Sequence, residues 1–343
     1  MSDQPLRIVG AHGSPYSRKL RAVLRYRRIP HAWINQGWPE TSALPQPRVV
    51  LLPQLVEPGP DGELVARTDS SPLLRELERR HPGRSVIPPD PVVAFLDLLL
   101  EDFADEWLTK AMFHYRWAFE ADADHAASIL PRWFKIDQPE ESAVAGGRAF
   151  AKRQIGRLGV VGSNPTTAPV IEESYRRFLH LLDAHLVTRP FLFGHRPASA
   201  DFGVFGQLTQ LVAFDPTPMA IAVRETPRVA AWVDVVEDLS GLETDGRPWT
   251  PREELPSTLR AILGEVGRVY APFLLANAAA LEAGADTVEC TIDGRPWTQK
   301  PFPYQGKCLF WLREAREALA VEDRHAVDGI LAGTGCEARF KRS

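Results

Sequence analysis

Apolar and polar positions along the first ninety residues switch between two rhythms. Leu6–Ala11 is a short apolar run that predicts a buried strand. Leu20, Val23 and Leu24 then recur at helical spacing, which places Arg18, Lys19, Arg21, Arg25, Arg27 and Arg28 on a solvent face; Pro30 closes that helix. His31–Ile34 reads as a second strand. Val49–Val56 is apolar around Pro53, and the turn cluster Pro58–Gly62 makes Gln54–Glu57 and Glu63–Ala66 a hairpin. Ser70–Arg80 reads as a helix with Leu73, Leu74 and Leu77 inward. The order β-α-β followed by ββα predicts a mixed sheet with helices on its faces.

The rhythm then changes. His81–Pro91 holds four prolines and no periodicity, as a linker does. Val92–Phe119, Glu172–Leu186, Phe202–Ala213 and Arg228–Leu239 repeat apolar residues at helical spacing, so this second part is mostly helical. Between them, Asp137–Pro169 carries Gly146, Gly147 and a Val160–Pro165 turn string and reads as an inserted loop, a lid or docking surface over a cleft. Thr258–Ala283 predicts one long helix kinked at Pro272. Asp286–Ile292 reads as a strand closed by an Asp293-Gly294 turn, and Gly306–Leu319 as a further helix. The hexapeptide DGRPWT occurs at Asp245–Thr250 and again at Asp293–Thr298, too short a string to make a repeat architecture.

Composition narrows the class. The 343 residues suit two domains with an appendage. A net charge of −4 argues against a nucleic-acid binder, which would show a basic patch. The longest apolar stretch, Val92–Leu100, is interrupted by Asp97 and falls short of the roughly 18 residues of a membrane span. Met1–Arg7 lacks a basic then apolar leader pattern. Three cysteines (Cys290, Cys308, Cys336) with no CxxC pair disfavour a disulfide framework or zinc site. The expectation is a soluble protein of a reduced compartment, the cytoplasm.

Three short segments could carry chemistry. Gly13–Ser17 lies between the first strand and first helix, where orphan amides and a partial positive charge favour an anion, including a thiolate. Taken alone, the segment is better explained by Ser14 as a plain helix cap with Pro15 at the first helical position. Leu51–Leu55 puts Pro53 before a strand; a cis bond there would turn the Leu52 backbone outward toward an extended peptide, whereas a trans proline at a strand start needs no function. In Thr68–Pro72, Asp69 or Ser70 could cap the next helix, or the same groups could face a ligand's ammonium and carboxylate.

Taken in order (strand, SPYS, helix, LLPQL, DGEL, TDSSPLL before a helix, Pro-rich linker, helical domain), these motifs resemble the cytosolic glutathione transferase superfamily, over roughly residues 5–245. The resemblance implies an α/β thioredoxin-like N-terminal domain (5–82), a linker (83–91) and an all-α domain (92–245), with an additional mixed C-terminal extension (246–343). It implies glutathione as co-substrate and no metal. Ser14 matches the serine of classes such as tau and theta, which stabilises the glutathione thiolate through its hydroxyl; Tyr16 and Ser17 are alternative hydroxyls. Leu52, before a cis-Pro53, matches the position whose backbone pairs with the cysteinyl group, and Asp69 with Ser70 matches the pair that holds the γ-glutamyl end. With no cysteine near residue 14, a mixed disulfide with the enzyme is disfavoured.

The segment Phe191–Phe202 also resembles the superfamily's helical-domain signature, a Ser/Thr-x-x-Asp box that caps a buried helix. Ala198 stands three before Asp201 where the hydroxyl belongs, so the box is expected to be broken or shifted. The electrophile pocket would lie in the interdomain cleft, with Asp102, Trp107, His114, Tyr115 and Trp117 on the first long helix in line for it. Phe103 with Trp107 and Phe113 with Trp117 are i,i+4 pairs, which core packing also explains. Glu101, Asp102, Asp105 and Glu106 form an acidic group read as a solvated or Arg-paired face, not a metal site. Two functions follow from the resemblance: a glutathione transferase-like enzyme attacking a small electrophile, as a homodimer, or a non-catalytic protein of the same fold acting as a binding module.

Overall fold

The computed structural model describes residues 5–340. Its first ninety residues form a four-stranded sheet in the order β2-β1-β3-β4: β1 (Leu6–Gly10), β2 (His31–Asn35), β3 (Gln54–Pro58) and β4 (Leu64–Thr68). β1 runs parallel to β2 and antiparallel to β3, and β3 antiparallel to β4. α1 (Pro15–Tyr26) connects the parallel pair, as a crossover must, and α2 (Ser70–Arg80) follows β4. Ile8, Leu20, Leu24, Ile29, Leu55, Leu73 and Leu77 form one buried cluster between sheet and helices. This is a thioredoxin-like domain.

The rest is helical. α3 (Pro91–Phe103) and α4 (Thr109–Ala118) are one continuous rod interrupted by a π-helical turn at Ala104–Leu108. α5 (Glu120–Phe134), α6 (Glu140–Ile155), α7 (Ala168–Leu186), α8 (Ser199–Leu211), α9 (Pro216–Glu225) and α10 (Pro227–Val236) follow. The inserted region is therefore no loop: α6 occupies 140–155 and packs on α5, with Gly147 so close that a side chain there would meet the Ala127 carbonyl.

The last hundred residues add α11 (Ser257–Glu265), α12 (Ala271–Glu282), the hairpin β5 (Val288–Ile292) and β6 (Arg295–Gln299), α13 (Pro303–Glu317) and α14 (Val321–Leu331). The irregularity expected at Pro272 is a second π-helical turn, Val266–Tyr270, just before it. Trp297, Leu309, Leu312, Val327 and Leu331 share one continuous core with Phe103, Trp107 and Phe178. The extension is thus packed into the helical domain rather than hung from it. Among the described residues no helix is long and apolar enough to cross a membrane.

Of the cations expected on a wet face, Arg28 is exposed, whereas Lys19 is 1% exposed and Arg21 and Arg27 are also buried. Arg27 pairs with Glu78 of α2, and the helical domain brings carboxylates onto Lys19 and Arg21. Lys19 Nζ lies 2.7 Å from Glu101 and 2.5 Å from Asp105. Glu237, after α10, takes Arg18, Arg21 and Arg25 together. The acidic group on the rod is buried for the same reason. Glu101 also pairs with Arg75, and Asp102 accepts from the Tyr270 hydroxyl at 2.7 Å. Burial pushes the Glu101 carboxyl up, but Arg75 and Lys19 outweigh it and hold it near 2.

Candidate functional site

The residues between β1 and α1 make a tight turn into a helix. Ser14 is the N-cap in extended backbone, its Oγ accepting from the Ser17 amide at 3.2 Å, and Pro15 fills the first helical turn. The preceding carbonyls are held from the helical domain: Arg116 Nη1 donates to Gly13 O and Gln210 Nε2 to His12 O, both at 3.1 Å. Arg116 is itself fixed by a buried pairing with Asp215. α8 meets the first turn of α1 backbone to backbone, since a Cβ on Gly206 would stand 2.6 Å from Pro15 O.

Two clefts open beside this turn. The first, about 360 Å³, has Ser14 and Tyr16 on one side, Leu51 and Leu52 on another, and an apolar wall that includes Phe113, Trp117, Trp133 and Phe150. The second, about 310 Å³, shares Tyr16, Leu51 and Leu52 with it and is lined by Asp69, Ser70, Lys110 and Tyr304. The Leu52–Pro53 peptide is cis, with Pro53 buried behind Leu52. Asp69 takes φ 79°, a backbone that a non-glycine residue adopts only under constraint, and its side chain does not cap α2.

The structure thus gathers Ser14, Leu52, Asp69 and Ser70 around two adjoining clefts with Leu52 in the wall of both. Tyr16 lines both halves, but its hydroxyl donates to the Asp105 carbonyl at 2.8 Å. Burial and the Glu106 and Asp105 carboxylates push its phenol well up, so it stays protonated. Ser17 is buried and accepts from the Ala11 amide, bracing the turn from inside.

Of the helix residues expected to line an electrophile pocket, Trp117 lines the first cleft, while Trp107, His114 and Tyr115 lie elsewhere. Trp107 is buried, donates to Ser174 Oγ and packs against Trp297. His114 is held by Ser163 and Glu172, and burial lowers its pKa despite Glu172. Tyr115 stacks on Phe119. The register of the rod explains this: α4 turns Met112, Phe113, Arg116 and Trp117 to the first cleft and sends Tyr115 into the helical core. The Phe113–Trp117 spacing was the part of the sequence signal that pointed there. From the former loop, Phe150, Arg153 and Gln154 line the first cleft and Val160 and Val161 the second.

Lys110 and Tyr304 carried no sequence signal. Lys110 Nζ donates to Val161 O and Gln299 Oε1 and sits 4.2 Å over the Phe273 ring. Burial lowers its pKa to about 7, Glu106 opposing. Glu106 is pushed well up by burial and by Asp102 and Asp105. Among the described residues no group of three or more His, Cys, Asp or Glu side chains is arranged to hold a metal.

A cis-proline turn, a hydroxyl-capped helix and an acidic residue with Ser at the next helix thus stand together on a thioredoxin-like sheet beside a helical domain. Residues 8–85 match the family model described as the glutathione S-transferase N-terminal domain. It is 28% identical over 191 residues to elongation factor 1-gamma from Bos taurus, a match covering 50% of this chain and 43% of that protein. The chain therefore spans less than half the length of that curated relative. Among solved structures it is similar to a glutathione S-transferase from Methylobacterium radiotolerans in complex with glutathione sulfonate (22% identity, 72% of this chain and 97% of that one, TM-score 0.39). It is also similar to a glutathione transferase from Burkholderia graminis with two glutathione molecules bound per subunit (16%, 67% and 82%, TM-score 0.42). A third is FzlA from C. crescentus (17%, 76% and 92%, TM-score 0.41).

Proposed function

We propose that the chain binds glutathione across the two clefts and activates its thiol for attack on a small electrophile. The observation that carries this is that Ser14, at the N-terminus of α1, lines the apolar cleft that shares its Leu52 wall with the Asp69–Ser70 chamber. The tripeptide would pair with the Leu52 backbone, leave its γ-glutamyl end at Asp69 and Ser70, and direct its sulfur to Ser14. A hydroxyl donated to a thiolate, with the helix terminus behind it, lowers the thiol pKa and raises the nucleophilic fraction. The sulfur lone pair then forms the bond to carbon. A leaving group departs with its electron pair, or, in an addition, the new carbanion takes a proton.

Phe113, Trp117 and Trp133 suit an apolar electrophile in the first cleft. The same reading carries a homodimer in the cytoplasm, the first of which sedimentation tests. Calorimetry with glutathione, followed by a screen of electrophiles, tests the function: binding without turnover on any of them favours the second reading, a non-catalytic binding module. The similarity to a protein named as an elongation factor supports keeping that second reading.

A further inference from the structure

The Asp69 carboxylate is engaged from an unexpected quarter. Tyr304, in the first turn of α13, donates its hydroxyl to Asp69 Oδ2 at 2.7 Å, across 235 residues of chain. An acidic residue just before a helix ordinarily caps it. Asp69 does not, and it is held at positive φ with its side chain bonded to Tyr304 instead. A strained backbone and an abandoned cap mark a carboxylate placed for another task.

Tyr304 is rigidly placed. The residue before α13, Phe302, exchanges two hydrogen bonds with the Asn277 side chain on α12: its amide donates to Oδ1 at 2.8 Å and its carbonyl accepts from Nδ2 at 3.1 Å. Gln305 Nε2 donates to the Glu106 carbonyl at 3.2 Å. The Tyr304 ring meets the Trp311 ring edge-on at 5.9 Å. The C-terminal extension therefore reaches the chamber as a fixed wall.

The chamber's chemistry has two signs. Asp69 offers an anionic acceptor, and Gln305 Oε1 is a buried acceptor with no hydrogen-bond partner among the described residues. Ser70, in the first turn of α2, and Lys110 offer donors. Acceptors and donors facing one small volume complement the head of an α-amino acid, which carries an ammonium and a carboxylate on one carbon.

We propose that Tyr304 is a positioning residue for Asp69, so that the C-terminal extension presets the carboxylate on which the α-ammonium of a γ-glutamyl ligand would rest. The inference rests on the glutathione reading above and deepens it. Tyr304 fixes the carboxylate direction in advance of the ligand, so less ordering is left to the binding step. Its hydroxyl occupies one carboxylate oxygen and aims the group rather than consuming it.

The test is calorimetry on the full chain with two ligands: glutathione, and the analogue whose α-ammonium is replaced by hydrogen (glutaryl-Cys-Gly). Wild type is expected to prefer glutathione by roughly tenfold or more, the scale of a charge-assisted contact. Tyr304→Phe keeps the ring against Trp311 and removes one oxygen. It is expected to weaken glutathione about five- to tenfold and leave the analogue unchanged, so the preference collapses. Equal losses on both ligands, unchanged glutathione affinity or tighter binding each overturn the positioning role. Wild type binding both ligands equally overturns the chamber assignment while the glutathione reading stands. Wild type binding neither ligand overturns that reading, and this inference with it.

Discussion

Arg116 donates to the Gly13 carbonyl at 3.1 Å, one residue before Ser14, from a guanidinium that Asp215 grips at 2.8 and 2.9 Å. The turn that presents the hydroxyl is thus set by the helical domain and not by its own strand and helix alone. Arg116→Ala leaves Asp215 buried without its counter-charge, and burial already pushes that carboxyl up. The expected cost is about 3–5 kcal/mol in chemical denaturation. Arg116→Lys keeps the charge but loses the fork. Its turnover is expected to fall on the order of 10- to 100-fold through misplacement of Ser14, while its stability loss is smaller than that of the alanine variant.

Ser14→Ala removes the hydroxyl and keeps Pro15 and the α1 amides. Turnover with an electrophile is expected to fall roughly 100- to 1000-fold, the scale of losing one donor to a developing anion. Glutathione affinity should change by less than about threefold, because the remaining contacts lie elsewhere. Steady-state kinetics beside calorimetry reads both, and equal turnover in the two proteins removes Ser14 from the role.

Gly206→Ala puts a methyl carbon 2.6 Å from Pro15 O, where backbone faces backbone. α8 and α1 must separate, at about 1–3 kcal/mol. Thermal unfolding reads the loss, and activity should drop with it, since Pro15 follows Ser14 directly.

Lys110 makes stability rise with pH on the alkaline side. Its pKa falls from the ordinary 10.5 to about 7 on folding. Between those values the unfolded chain holds the proton that the folded chain has released, so stability climbs as pH rises through that window. Below pH 7 the penalty is present in full. Lys110→Met should therefore raise the melting temperature most below pH 7, and the gain over wild type should shrink toward pH 10.5. A gain that is flat across this range would contradict the assignment.

At the α8 cap, Ala198 has no side-chain acceptor, yet half of the box survives: Asp201 accepts the Ala198 amide at 2.8 Å and the Leu192 amide at 2.9 Å. The neighbouring Ser199 does not serve as the cap; its hydroxyl lies 2.6 Å from Asp97 and 3.0 Å from Glu101, with one proton to share between the two carboxyls. Ala198→Ser restores the missing acceptor at a site with extended backbone and should stabilise by about 1 kcal/mol in thermal denaturation.

What the chain's pattern reveals is local. Strand and helix rhythms in residues 6–80 mark all four strands and both helices of the first domain, because each buries its own apolar face. The motifs at Ser14, Leu52 and Asp69 are equally local, each sitting at the edge of one element. The burial of Lys19 and Arg21 was illegible because their partners lie more than eighty residues away on another domain. α6 was read as a loop because Gly146 and Gly147 weaken helical propensity, whereas tight packing on α5 requires the second of them. Tyr304 meets Asp69 only through a tertiary path that no periodicity encodes. On α4 the pattern points to Trp117, which lines the cleft, and also to Tyr115, two positions earlier, which a helix turns into the core.

Lys19 lies at the seam of the molecule, one ammonium answering two carboxylates across it. Severing the chain after the linker would strand that charge in an apolar wound and release His12 and Gly13 from their grips. The sheet-bearing half is therefore not a portable module here: moved alone, it would carry Ser14 without the contacts that set its turn, and engineering must move both halves as one.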